Sequence, residues 1–235
     1  MKLAYLTIIG GLLFAAPVLG LTFLGTPTTV LKTGEITAGA SYANSDQDIE
    51  IESEDLGGAR IDGVKEESVI GHVGVGVADE RLELFGLFGA ANLKQDDIKA
   101  NGEFLAGVGT RITMYKGDDG LDWGIVAQFT WFTDEDKVVV DGFRTPFELN
   151  VFDVQVGLGP CWRPGPFILY GGLMIDWITG NIDVRDVGSF DVQAESNFGA
   201  YFGAGIDLAK HISAVAEIQG TPDSSAWGGS VMWRF

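Results

Sequence analysis

Period-two alternation, held over full strand lengths and repeated along the chain, is what most constrains this sequence. Its last stretch reads AWGGSVMWRF. Trp227, Gly229, Val231, Trp233 and Phe235 fall on one face of an extended strand, and Gly228, Ser230, Met232 and Arg234 on the other. Residues 121–133 repeat the pattern, with Leu121, Trp123, Ile125, Ala127, Phe129 and Trp131 against Asp122, Gly124, Gln128 and Thr130. Successive side chains of a strand point to opposite faces, so each stretch has one apolar and one polar surface. Beyond the first twenty residues no apolar run approaches the roughly 18 residues of a membrane-crossing helix. If the chain crosses a membrane, it crosses as a closed barrel, because open sheets leave backbone groups unpaired in lipid.

The first twenty residues read as a secretory signal. Lys2 supplies a positive start, Leu3 to Ala16 is apolar but short for a span, and Pro17 breaks the run. Val18-Leu19-Gly20 places small residues near a cut, and no cysteine follows for a lipid anchor. Residues 21–34 read as an irregular lead-in on the periplasmic side, and 35–235 as the barrel. No Pro/Ser-rich linker divides the chain. The net charge of −18 opposes binding to nucleic acid or to an anionic membrane surface. The single cysteine, Cys161, excludes an internal disulfide framework.

Ten strands are expected at about 35–44, 67–77, 81–91, 102–115, 121–133, 147–160, 167–178, 194–208, 212–220 and 226–235. Eight is the alternative, should two weaker strands merge or fail. The connections alternate. Short turns follow strands two, four, six and eight, while long stretches at 45–66, 92–101, 134–146 and 179–193 follow strands one, three, five and seven. Outer-membrane barrels have short periplasmic turns and longer external loops. An even count pairs the first strand antiparallel with the last and leaves no sheet edge. A soluble barrel would turn its apolar face inward. Here that face carries the tryptophans and the polar face carries Gly and carboxylates, so lipid belongs outside. Trp123 and Trp131 are spaced to mark the two interfacial girdles.

The ending VMWRF resembles the closing strand of bacterial outer-membrane β-barrels, which finish in Phe with apolar residues two and four positions earlier. The matching residues are Phe235, Trp233 and Val231. The resemblance implies an all-β, transmembrane, antiparallel up-and-down barrel in the outer membrane. It also implies insertion by the assembly machinery that reads this signature, with lipid and lipopolysaccharide as neighbours. It identifies no subfamily.

The lumen face is the first place to seek function. It is expected to hold Glu83, Glu103, Asp122, Asp153, Asp176, Asp207 and Glu217, with Arg111 and Arg234 as main cations. Glu35, Arg81 and Glu195 fall on the same face. Buried charges need partners or water. One reading is a structural network that plugs the barrel, Arg111 and Arg234 each serving carboxylates on neighbouring strands. The other is a narrow cation-preferring, porin-like channel, since carboxylate rings favour cations. Ten strands enclose little more than side chains, which favours the plug and a structural or surface-interaction role.

The first outer loop is acidic, with Asp46, Asp48, Glu50, Glu52, Glu54, Asp55 and Asp62. It offers oxygen ligands for divalent cations but lacks the spacing of a calcium loop. Ile49 and Ile51 alternate there and could carry strands one and two beyond the membrane. The histidines are His72, mid-strand with Ser68 and Glu67 near it, and His211 in a turn. No spacing specifies an active site, so no enzyme and no cofactor are expected.

Overall fold

The computed structural model describes residues 21–52, 59–95, 98–99, 103–140, 143–184, 188–193 and 198–235, with backbone alone for part of the outer strand ends. They form β1 (Ile36–Glu52), β2 (Ala59–Ala78), β3 (Leu82–Gln95), β4 (Ile98–Lys99), β5 (Glu103–Tyr115) and β6 (Leu121–Val140). There follow β7 (Phe143–Trp162), β8 (Phe167–Val184), β9 (Gly188–Gln193), β10 (Phe198–Ala209), β11 (Ile212–Gly220) and β12 (Ser224–Arg234). Ten of these pair antiparallel in the order β10–β11–β12–β1–β2–β3–β5–β6–β7–β8, and β8 returns to β10. The cylinder is therefore closed, with the first barrel strand against the last from Thr37↔Arg234 to Gln47↔Ser224. The ten-strand expectation holds and the eight-strand alternative does not.

The outer face explains why these residues form this barrel. All six tryptophans lie on it, each between 40 % and 62 % exposed. A water-soluble fold would bury that much aromatic surface. Val69, Val73, Leu84, Phe88, Phe104, Val108, Leu173, Phe198 and Phe202 stand exposed among them. Trp123 and Trp131 are eight residues apart on β6, about 26 Å along the strand. With a tilt of about 40° that spacing spans about 20 Å of depth, most of the roughly 25 Å apolar band of an outer-membrane barrel.

The strands run further than the alternation reaches. β6 and β7 pair continuously from Leu121↔Trp162 to Val140↔Phe143. Twenty residues extend about 66 Å, far more than the membrane requires. β1 and β2 likewise continue to Ile51↔Ala59. Much of the four long connections expected as loops is therefore strand projecting past the outer rim. Past the membrane lipid no longer demands an apolar face, so the contrast that marks a strand in sequence fades along β6, although Ile49 and Ile51 keep it on β1, which extends as that alternation suggests. Two short strands were also not anticipated. β4 pairs β3, and β9 bridges β8 and β1 above the ends of β10, β11 and β12. The eighth barrel strand starts at Phe198; residues 194–197, including Glu195, lie outside the described residues.

The interior is more apolar than the alternation suggests. Phe85, Leu87, Leu105, Val126, Phe132, Ile168, Met174 and Ile178 all point inward and are buried. Inward glycines make room for inward rings. A Cβ at Gly109 would collide with Phe85, and one at Gly203 with Tyr170. These glycines act as sockets for aromatic side chains.

Candidate functional site

The candidate site is the lumen, and residues 21–31 of the chain's own 21–34 segment occupy it. Expected on the periplasmic side, this segment is irregular as anticipated, but it runs inside the barrel. Leu21, Leu24 and Leu31 are at most 1 % exposed. Apolar side chains at these positions gain by leaving water for the partly apolar interior. The segment enters β1 from the short-turn end, where Glu80 N–H donates to Leu31 O at 2.8 Å and Gly34 N–H to Gly76 O at 2.8 Å.

An irregular backbone inside a barrel must find partners for its polar groups, and the wall supplies them. Leu24 N–H and Gly25 N–H donate to the two Glu217 carboxylate oxygens, each at 3.0 Å. Gly25 adopts the left-handed region with φ +76°, which lets two successive N–H groups face one carboxylate. Gln219 Nε2 donates to Thr22 O at 2.8 Å and to Glu217 Oε1 at 2.7 Å. Thr22 Oγ1 donates to Gln155 Oε1 at 2.9 Å and accepts from Gln128 Nε2 at 2.7 Å. Lower down, Thr29 N–H donates to Thr113 Oγ1 at 3.1 Å.

Arg111 is the hub of the inner half. Its Nη1 pairs with Glu83 Oε1 at 2.7 Å across β5 and β3, with both side chains largely buried. Nε donates to Thr26 O at 3.0 Å and Nη2 to Leu24 O at 3.4 Å. The guanidinium lies 4.5 Å over the Phe85 ring. His72 Nε2 sits 3.5 Å from Nη1 and, since a guanidinium only donates, acts as acceptor. His72 is thereby engaged with Arg111 and Phe85.

The remaining expected residues are distributed over the lumen. Asp122 is buried near the short-turn end and accepts from Gly117 N–H at 3.3 Å. Asp153 and Asp176 lie in mid-barrel, both 1 % exposed, and act on each other electrostatically. Thr130 Oγ1 donates to Asp153 Oδ2 at 3.3 Å. Ile178 lies directly across from Asp153, and with Leu105, Phe132 and Val151 it makes a fully buried apolar patch on β5 to β8. Glu103 stands opposite Ala91 on β5, and its side chain lies outside the described residues.

Asp207 and Arg234 line a cavity of about 120 Å³ at the short-turn end, together with Arg111, Glu83, Arg163 and Lys210. Arg234 was expected to serve a carboxylate. Its Nη2 instead donates to Lys210 O at 2.9 Å, because it sits at the strand end where turn carbonyls are the nearest acceptors. Val231, Trp233 and Phe235 all face outward, and Trp233 stacks on Phe235 with centroids 5.8 Å apart. The acidic positions from Asp48 to Asp62 carry no described side chains.

Period-two alternation puts Gln128, Gln155 and Gln219 on the polar face without giving them a task, and it carries no sign of Thr22, Leu24 and Gly25. The available signal was three leucines at 21, 24 and 31 in a stretch assigned to water.

A closed barrel with an even strand count, lipid-facing aromatics and short turns at one end is a transmembrane β-barrel of the bacterial outer-membrane class. No protein-family model matches the chain, and no curated protein matches it. Solved structures similar to it are barrels of that class. The translocator domain of autotransporter NalP from Neisseria meningitidis aligns over 100% of this chain and 96% of its own, at 11% identity and TM-score 0.49. The transport unit of autotransporter AIDA-I from Escherichia coli covers 97% of this chain and 95% of its own, at 15% identity and TM-score 0.47. The outer membrane protease OmpT from Escherichia coli covers 86% of this chain and 97% of its own, at 8% identity and TM-score 0.45. At these values the likeness is one of architecture alone.

Proposed function

We propose that this protein is a non-enzymatic outer-membrane barrel with a structural or surface-interaction role, closed to ions by its own N-terminal segment. The observation that carries this reading is the seating of Leu24 and Gly25 on Glu217, and of Thr22 on Gln128, Gln155 and Gln219, across the middle of the lumen. A channel needs a continuous wet path. Here the path is filled by a bonded segment on the inner side and is bordered beyond it by a buried apolar patch on β5 to β8.

The export route follows from the same reading. The signal at residues 1–20 directs secretion, and Val231, Trp233 and Phe235 present the strand the assembly machinery reads. The paired ends of β6 and β7 project about 30 Å along the strand past Trp131, offering a surface to partners outside the cell. The carboxylates of the first outer loop, from Asp46 to Asp62, supply oxygen donors for divalent cations.

The experiment is conductance of the refolded protein, beginning after the signal, in a planar bilayer across a salt gradient. A folded barrel that stays silent is the expected result. Discrete steps with cation preference would replace the plug with a channel lined by Glu83, Asp122 and Glu217.

A further inference from the structure

Asp153 and Asp176 are a pair of buried carboxylates in the lumen that the plug, as described, does not reach. They are 1 % exposed, they act on each other, and Glu66 adds a third carboxylate nearby. Asp153 Oδ1 and both Asp176 oxygens have no hydrogen-bond partner among the described residues. Two buried carboxylates without a cation are costly, because each loses its hydration and gains a like-charged neighbour. A cation beside them would remove that cost.

The segment's course says what that is. Leu24 and Gly25 sit at Glu217, and Thr22 sits at Gln219, two residues further outward on β11. The segment thus climbs toward the outer end as its residue number falls. Thr22 also rests on Gln155, which is paired with Asp176 across β7 and β8. Asp153 is the next inward residue above Gln155 on β7, about 7 Å along the strand. One more residue of chain reaches about 3.5 Å further. The climb of the segment therefore brings the Leu21 nitrogen toward the level of the acid pair, beside which Leu105, Phe132, Val151 and Ile178 offer only apolar side chains.

We infer that the chain is cut between Gly20 and Leu21, and that the α-ammonium so formed is the counter-charge of the Asp153–Asp176 pair. This rests on the reading of 21–31 as a lumen plug. In the cut, water adds across the Gly20–Leu21 peptide bond. Gly20 leaves as a carboxylate with the signal, and the Leu21 nitrogen keeps its proton, gains protons from solvent and becomes an ammonium. An ammonium offers three N–H donors, and three carboxylate oxygens stand unpartnered. An uncut chain would offer a single neutral N–H. Processing would thus complete the barrel's interior, with the new terminus as its central cation.

The test has two parts. The intact mass of the protein extracted from outer membranes should equal residues 21–235, and a mature chain starting elsewhere would overturn the inference. Then the chain beginning at Leu21, released from a fusion without extra residues, is refolded with a free or an acetylated N-terminus. Both forms are made in the native background and in Asp153→Asn with Asp176→Asn. Acetylation should lower the folded-to-unfolded ratio at least tenfold in the native background and less than twofold in the variant. An equal effect in both would overturn the pairing. If the double variant does not refold, Asp176→Asn alone is compared in the same way. Bilayer conductance of each refolded form reads the plug separately, so a failed ion pair in a silent barrel leaves the plug standing.

Discussion

Replacing Arg111 by Ala tests whether the filled lumen supports the barrel. The substitution strips Glu83 of a partner at 2.7 Å, frees Thr26 O and Leu24 O, and removes the cation from Phe85. Breaking a buried ion pair by removing one partner costs about 3–5 kcal/mol, because the other charge stays buried. The cation–π contact adds about 1 kcal/mol. A loss of at least ~3 kcal/mol is expected, read as the guanidinium unfolding free energy of the refolded barrel. Arg111→Lys keeps the charge but not the planar fork, and should lie between. The double variant Arg111→Ala with Glu83→Ala should lose less than the sum of the singles, since Glu83 is no longer stranded. A loss below about 0.5 kcal/mol, the size of an ordinary surface change, would refute the reasoning.

Three further outcomes follow from the same geometry. Glu217→Ala orphans the buried Leu24 and Gly25 N–H groups at about 1–3 kcal/mol each, so hydrogen exchange at both should accelerate by tenfold or more, and Glu217→Gln should lose less. Gly203→Ala drives a methyl into the Tyr170 ring and should cost about 1–3 kcal/mol of unfolding free energy, relieved in part by Tyr170→Leu. At the inner turn, the Thr33 N–H, at 2.8 Å, then its hydroxyl and the Lys32 charge hold the Asp79 carboxyl below its ordinary 3.8. A carboxylate whose folded value is depressed stabilises above the unfolded value and loses that contribution as pH falls through the folded one. Protection of the Thr33 amide, after correction for intrinsic exchange, should hold at neutral pH and fall below about pH 4, and Asp79→Asn should abolish that dependence.

The barrel was legible because lipid and lumen impose opposite demands on neighbouring residues. That contrast writes period two into Leu121 to Trp131 and into Trp227 to Phe235, and the structure places the two faces as read. It stops being written at Asp134, beyond the lipid-facing Trp131, where lipid no longer demands an apolar face. The strand itself continues to Val140. The plug was illegible for a different reason. Its backbone bonds to side chains far along the chain, Thr22 to Gln155 and Leu24 to Glu217, so it carries no local period. Glu83 and Arg111 were both read as lumen charges. Their pairing depends on the Glu83↔Arg111 register of β3 and β5, which side-chain alternation alone does not fix.

Thiol accessibility tests the central claim, that residues 21–31 fill the lumen, most directly. Thr22→Cys and Thr33→Cys are each made in a Cys161→Ser background, and the folded barrels are treated with a bulky, membrane-impermeant maleimide. Thr22 is 1 % exposed while Thr33 is exposed at the inner mouth. Position 33 should label within minutes, and position 22 should stay unlabelled until the barrel is unfolded. Equal labelling at the two positions in the folded protein would contradict the account.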